Sequence, residues 1–148
     1  MAASGKMYSS FPLNLAAGSI LALNGTATTV NCALLTSSYT FDQESHSVWA
    51  DVSSYEVVAG GSSGSAYVSG GTSLAGKSLT ETSRVTKFDA DDVSWNPSTI
   101  TAQYCVLYET SNNKLILCQD FGDSKSSSIG AFVIQWNESG IFTMTVGA

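Results

Sequence analysis

Residues 99–108 read TITAQYCVLY, a run of β-branched, aromatic and aliphatic side chains without one charge. This run constrains the fold more than any other segment. Successive side chains of a strand point to opposite faces. Ile100, Ala102, Tyr104, Val106 and Tyr108 therefore share one face, and Cys105 and Leu107 lie on the other. Apolar side chains on both sides predict a strand covered on both faces. Ser111, Asn112 and Asn113 follow as a hairpin turn, and residues 115–121 read as the return strand.

The rest of the chain repeats this pattern in shorter pieces. Residues 28–35, 55–58, 67–68, 74–80, 85–89, 93–95, 131–136 and 141–146 are strand-like runs bounded by Ser, Gly, Asn and Asp. In residues 131–136, Phe132, Ile134 and Trp136 alternate in period two, which places Trp136 in the core. Residues 7–17 predict a short helix that starts near Phe11, because Pro12 is tolerated only in a first turn, and stops at Gly18. Val48, Trp49 and Val52 suggest one helical turn in the connection 41–52. The glycine-rich stretch 59–65 and the serine-rich stretch 122–128 read as loops. Short strands at this spacing predict an all-β fold, an antiparallel β-sandwich or jelly-roll-like barrel with a short N-terminal helical segment. The length suits one domain over residues 1–148, with residues 1–6 as a flexible N-terminal arm.

Composition narrows the function. Charged residues are 12% of the chain, and 12 acidic against 6 basic side chains give a net charge of -6. Counterion release requires several basic contacts, so a nucleic-acid partner is not expected. Ser and Thr, roughly a quarter of the chain, replace the missing charge. The sequence contains no apolar run of the ~18 residues a membrane helix needs. The N-terminus lacks the apolar centre of a signal peptide, and folding in a cytosol is the expectation. The odd cysteine count, Cys32, Cys105 and Cys118, fits that: each sits in an apolar run and reads as a buried free thiol.

The chemical inventory is sparse. His46 is the only histidine and has no nucleophile-elbow motif nearby, so it reads as a polar residue on a surface connection. Asp89, Asp91 and Asp92 are the one acidic cluster, without the spacing of a calcium loop, and turn chemistry accounts for them. Neither cofactor nor metal is expected, and no enzymatic activity. Trp49, Trp95 and Trp136 suit a carbohydrate-binding platform if exposed, and Trp95, beside Asn96 and Pro97, is the best candidate for partial exposure.

Five segments, in order, carry a resemblance: MYSSFPLNLAAGSI (7–20), ALLTSSYT (33–40), WADVSSYEV (49–57), KFDADDVSWNPSTI (87–100) and GDSKSSSIGAFVIQW (122–136). Together they resemble a family of small virion structural proteins of tailed bacteriophages, over residues 7–142. Phe41 stands where related chains often have Pro. The resemblance implies a capsid decoration, or cement, protein. It would be made in the host bacterial cytoplasm, bind the outer surface of the shell and stabilise it. The implied partners are the phage major capsid protein and further copies of the chain, a trimer first and a dimer second. A tail or neck component is the alternative within the family, and a carbohydrate-binding module the alternative outside it. The implied contact residues are Lys6, Met7, Tyr8, Phe11, Tyr67 and Trp95.

Overall fold

The 99–108 run and its return strand form the spine of the structure, a computed structural model that describes residues 5–58 and 65–147. In chain order the elements begin with β1 (Gly5–Met7), α1 (Ser10–Ala16) and β2 (Val30–Leu35). Two 3-10 turns, Trp49–Asp51 and Ser53–Tyr55, precede β3 (Thr72–Ser73), β4 (Ser78–Thr82) and β5 (Val85–Asp89). The second half is β6 (Val93–Ser98), β7 (Thr101–Glu109), β8 (Lys114–Ser126), β9 (Gly130–Ile134) and β10 (Phe142–Thr145). They form sheets of five (β1-β8-β7-β2-β3), three (β10-β5-β4) and two strands (β6-β9), with antiparallel pairing throughout. The fold is all-β and sandwich-like, with one short helix.

Both faces of the five-stranded sheet are covered, and β2 shows how. Val30, Cys32 and Leu34 point into the larger core, against Phe11 of α1 and Phe88, Trp95, Phe132 and Ile134 of the smaller sheets. Ala33 and Leu35 point the other way, into a second core with Tyr8, Tyr39, Val52, Val106, Tyr108 and Leu115. The connection 36–58 roofs that second core, and Trp49 stacks on Tyr108 at 4.5 Å between ring centroids.

β7 departs from the simple alternation. Its pairing with β8 shifts register between Ala102 and Tyr104, where one residue of β7, Gln103, stands opposite four of β8, residues 121–124. Parity changes there. Ile100 and Ala102 join Cys105 and Leu107 in the larger core, while Val106 and Tyr108 face the second, with Tyr104 packed against it.

β6 and β7 are nearly continuous in sequence, as are β8 and β9, and together they make one long ribbon bent at a corner. The corner is fastened by serines. Ser98 Oγ and Ser127 Oγ are 2.8 Å apart, and Ser98 Oγ also donates to the Gly130 carbonyl at 3.0 Å. The Ser127 amide donates to the Ile100 carbonyl at 2.8 Å. A strand that changes sheets needs such a bend.

Several local expectations are corrected. Gly5 and Lys6, expected in a flexible arm, pair with Gln119 and Cys118 in β1. The stretch 122–126, expected as a loop, continues β8, and Ser126 and Lys125 pair with Thr101 and Ala102. Its side chains are polar because they face solvent. Residues 55–58 form no strand: Tyr55 ends a 3-10 turn and Glu56 makes only an isolated bridge to Leu35. Residues 67–68 lie outside any strand, and 74–80 contributes only its last residues, to β4. β6 runs through Asn96-Pro97, a cis peptide, to Ser98. Most of the glycine-rich stretch, 59–64, lies outside the described residues, as do residues 1–4 of the expected arm. The helix matches its expectation, with Phe11 and Leu15 inward and Gly18 at φ +73° just beyond its end.

Candidate interaction surface

Of the six residues implied as contacts, four belong to the chain's own core. Tyr8, Phe11, Tyr67 and Trp95 are each at most 3% exposed. As placed, they have no surface to offer a partner. The physical reason is that each aromatic has internal partners. Tyr8 Oη lies 3.0 Å from Tyr39 Oη. Phe11 meets Phe142 edge-on at 5.5 Å, and Trp95 lies 5.4 Å from Tyr67. The Tyr67 hydroxyl accepts from the Leu34 amide and donates to Glu56 Oε1. Lys6 and Met7 lie on β1, at the edge of the five-stranded sheet; Lys6 is exposed and Met7 packs partly against the core.

The side chains suited to carry chemistry are occupied structurally. His46 Nδ1 lies 3.0 Å from Tyr39 Oη, extending the Tyr8–Tyr39 pair toward the surface. Asp92 Oδ1 accepts from the Trp136 amide, and the Asp91 carbonyl accepts from Trp136 Nε1, both at 3.0 Å. The acidic cluster thus anchors the end of β9. Asp42 and Asp51 each accept two backbone amides, and these bonds hold both carboxyls below the usual range. All three cysteines are free and buried. The adjacent Cys32 thiol and complete burial push the Cys105 thiol up, and burial does the same to Cys118. Among the described residues, no group of three or more His, Cys, Asp or Glu is placed to hold a metal. The tryptophans present little face to a sugar: Trp95 and Trp136 are buried, and Trp49 spends one face on Tyr108.

One pocket of about 290 Å³ opens beside the second core, lined by Lys6, Phe41, Tyr104, Cys118, Asp120 and Gly122. Its lining includes one cation, Lys6, one carboxylate, Asp120, and the buried Cys118 thiol.

The most unusual surface is the outer face of the β6–β9 ribbon. Along β9, Phe132 and Ile134 point inward, while Ala131 and Val133 are exposed. Ile129, at the corner before β9, is 85% exposed and has φ +48°. A β-branched residue in the left-handed region is strained by roughly 1–3 kcal/mol and persists only where its surroundings fix it. Here they do: the Ile129 amide donates to Thr99 Oγ1 at 3.1 Å, and the serine clasp holds both flanks. Residues 126–137 contain no charge, and on β6 the outward residues Ser94, Asn96 and Pro97 are also neutral. The outcome is a neutral, partly apolar face on an acidic molecule. Sequence reasoning read the inward row of β9 correctly but missed the outward one. The signal was available, because the positions between Phe132, Ile134 and Trp136 are Ala and Val rather than Lys or Glu.

In comparisons with known proteins, the chain matches no family model, no curated protein and no solved structure.

Proposed function

We propose that the chain is a structural binding module of a tailed-bacteriophage virion, a capsid decoration protein that clamps the outer surface of the major capsid shell. The resemblance of the five segments supplies the phage context. The structural observation that supports a binding role is the neutral outer face of the β6–β9 ribbon, led by Ile129, 85% exposed and held in a strained conformation. Such a face desolvates no ion when it docks, and ion desolvation is the expensive part of assembly. The acidic remainder of the surface disfavours approach to packaged DNA, which supports a site on the outside of the shell rather than the inside. In this reading the protein is not an enzyme and carries no cofactor.

Co-sedimentation with mature, undecorated capsids tests the proposal. Saturable binding, weakened at least tenfold by Ile129→Asp without loss of fold, is the expected result. Absence of saturable binding overturns it. Immunogold labelling of virions separates capsid from tail: label confined to tails selects the tail or neck component instead.

A further inference from the structure

β9 is an open edge. Its sheet contains only β6 and β9, so one side of β9 has no strand beside it among the described residues. An unpaired edge is a template for another strand, and proteins normally blunt it with charge, proline, a bulge or shortness. The other edges, β10 apart, are blunted in these ways. β3 is two residues long, and β1 is three residues long and carries Lys6. β4 carries Glu81. β6 contains Pro97, whose carbonyl already accepts from the Ala66 amide at 2.8 Å. β10 is open, but its neighbour β5 carries Lys87 and Asp89. β9, GAFVI, has no charge and no proline, and the irregularity in its pairing lies between Trp95 and Ser98 of β6.

We infer that two copies of this chain associate through β9, strand against antiparallel strand about a two-fold axis, making one continuous β6-β9-β9-β6 sheet. A second copy is the occupant for two reasons. An antiparallel edge is self-complementary under a two-fold, since each strand offers the same alternation of donors and acceptors. Charge supplies the other reason. The chain is net -6, so most approaches between copies bring acidic surfaces together, whereas residues 126–137 carry no charge. Two edges close on each other and leave none for a third, which selects the dimer over the trimer. The pairing also places the two outward Ala131–Val133 rows side by side, doubling the neutral face. The inference concerns the free protein in solution and does not require the virion reading.

The test is the mass of the full chain by light scattering after size exclusion, at about 100 μM and again tenfold diluted. The expected mass at the higher concentration is twice 15.4 kDa. Val133→Lys, outward on β9, returns the mass to that of one chain, because like charges then meet near the axis. Ala131→Lys does the same and serves if the first variant is unfolded by circular dichroism. Leu13→Lys, on the exposed face of α1, leaves the dimer intact. A wild-type chain that is monomeric at both concentrations overturns the inference. So does a dimer that survives both β9 variants, or one that Leu13→Lys dissociates. Loss of the dimer with capsid binding retained, or the reverse, separates this inference from the proposed function.

Discussion

The Tyr67 hydroxyl donates to Glu56 Oε1 at 2.8 Å while it accepts from the Leu34 amide at 3.0 Å. The same carboxylate accepts from the Gly70 amide at 2.6 Å and from Ser69 Oγ at 3.1 Å. One acidic side chain therefore ties the segment 67–70 to the edge of β2. Burial and the Glu56 carboxylate push the Tyr67 phenol well up, so it stays a neutral donor at any ordinary pH.

Removing that hydroxyl leaves the Leu34 amide without its partner and takes one of two donors from Glu56 Oε1, which keeps the Gly70 amide. Tyr67→Phe is predicted to cost about 1–3 kcal/mol, the usual penalty for leaving buried polar groups unpaired. Urea unfolding measures it. A change below about 0.5 kcal/mol contradicts the role of this clasp.

Gly71 follows immediately and has φ +78°, and a Cβ there would collide with the Cys32 carbonyl. Gly18 has φ +73° but open space around it. Gly71→Ala is predicted to destabilise by more than ~2 kcal/mol, because backbone must move as well as strain be absorbed. Gly18→Ala is predicted to cost about 1 kcal/mol, from backbone conformation alone. Equal costs in thermal or urea unfolding contradict the close approach of Gly71 to β2.

Ile129 separates stability from binding. Ile129→Gly relieves the left-handed strain and is predicted to hold or raise stability by up to ~1 kcal/mol. Under the proposed function the same change removes the exposed side chain that leads the binding face, and capsid affinity is predicted to fall. A variant that loses stability and binding together contradicts the separation. Differential scanning calorimetry beside co-sedimentation reads both.

These positions mark how much of the molecule was legible beforehand. The β7–β8 hairpin, the one-turn helix at Trp49 and the Phe132–Ile134 row follow from periodicity and turn chemistry. The faces of β7 did not, because the irregular pairing between Ala102 and Tyr104, where β8 carries the extra residues, inverts parity and leaves no trace in the composition of β7. Nor did the extension of β8 to Ser126: its partner lies in β7, and a solvated ribbon end carries the same Ser, Lys and Asp as a loop. The burial of the four aromatics expected as contacts is not legible in the sequence for a related reason. Tyr8, Phe11, Tyr67 and Trp95 lie in or beside short elements, and only the tertiary partners reveal that they face inward. The outward β9 row is harder to read because Ala131 and Val133 are small beside Phe132, Ile134 and Trp136.

The capping carboxylates make an acid prediction. Asp51 Oδ2 accepts from the Ser47 and Val48 amides at 2.8 and 3.0 Å, which holds its carboxyl below the usual 3.8. A depressed folded value means the stabilisation is complete above the unfolded value, and is lost as pH falls through the folded one. Asp51 and the similarly capped Asp42 therefore contribute a constant amount between pH 7 and 5 and lose it below about pH 4. Asp51→Asn should flatten that acid limb of the melting temperature. An unchanged limb contradicts the assignment.

The proposed function has the chain meet the shell through the β6–β9 ribbon. Cryo-electron microscopy of undecorated capsids mixed with the purified chain tests it most directly. The account predicts added density at symmetry-related positions on the outer surface, with Ile129 and Val133 turned toward the shell. Capsids without added density, or density in which that ribbon faces solvent, contradict it.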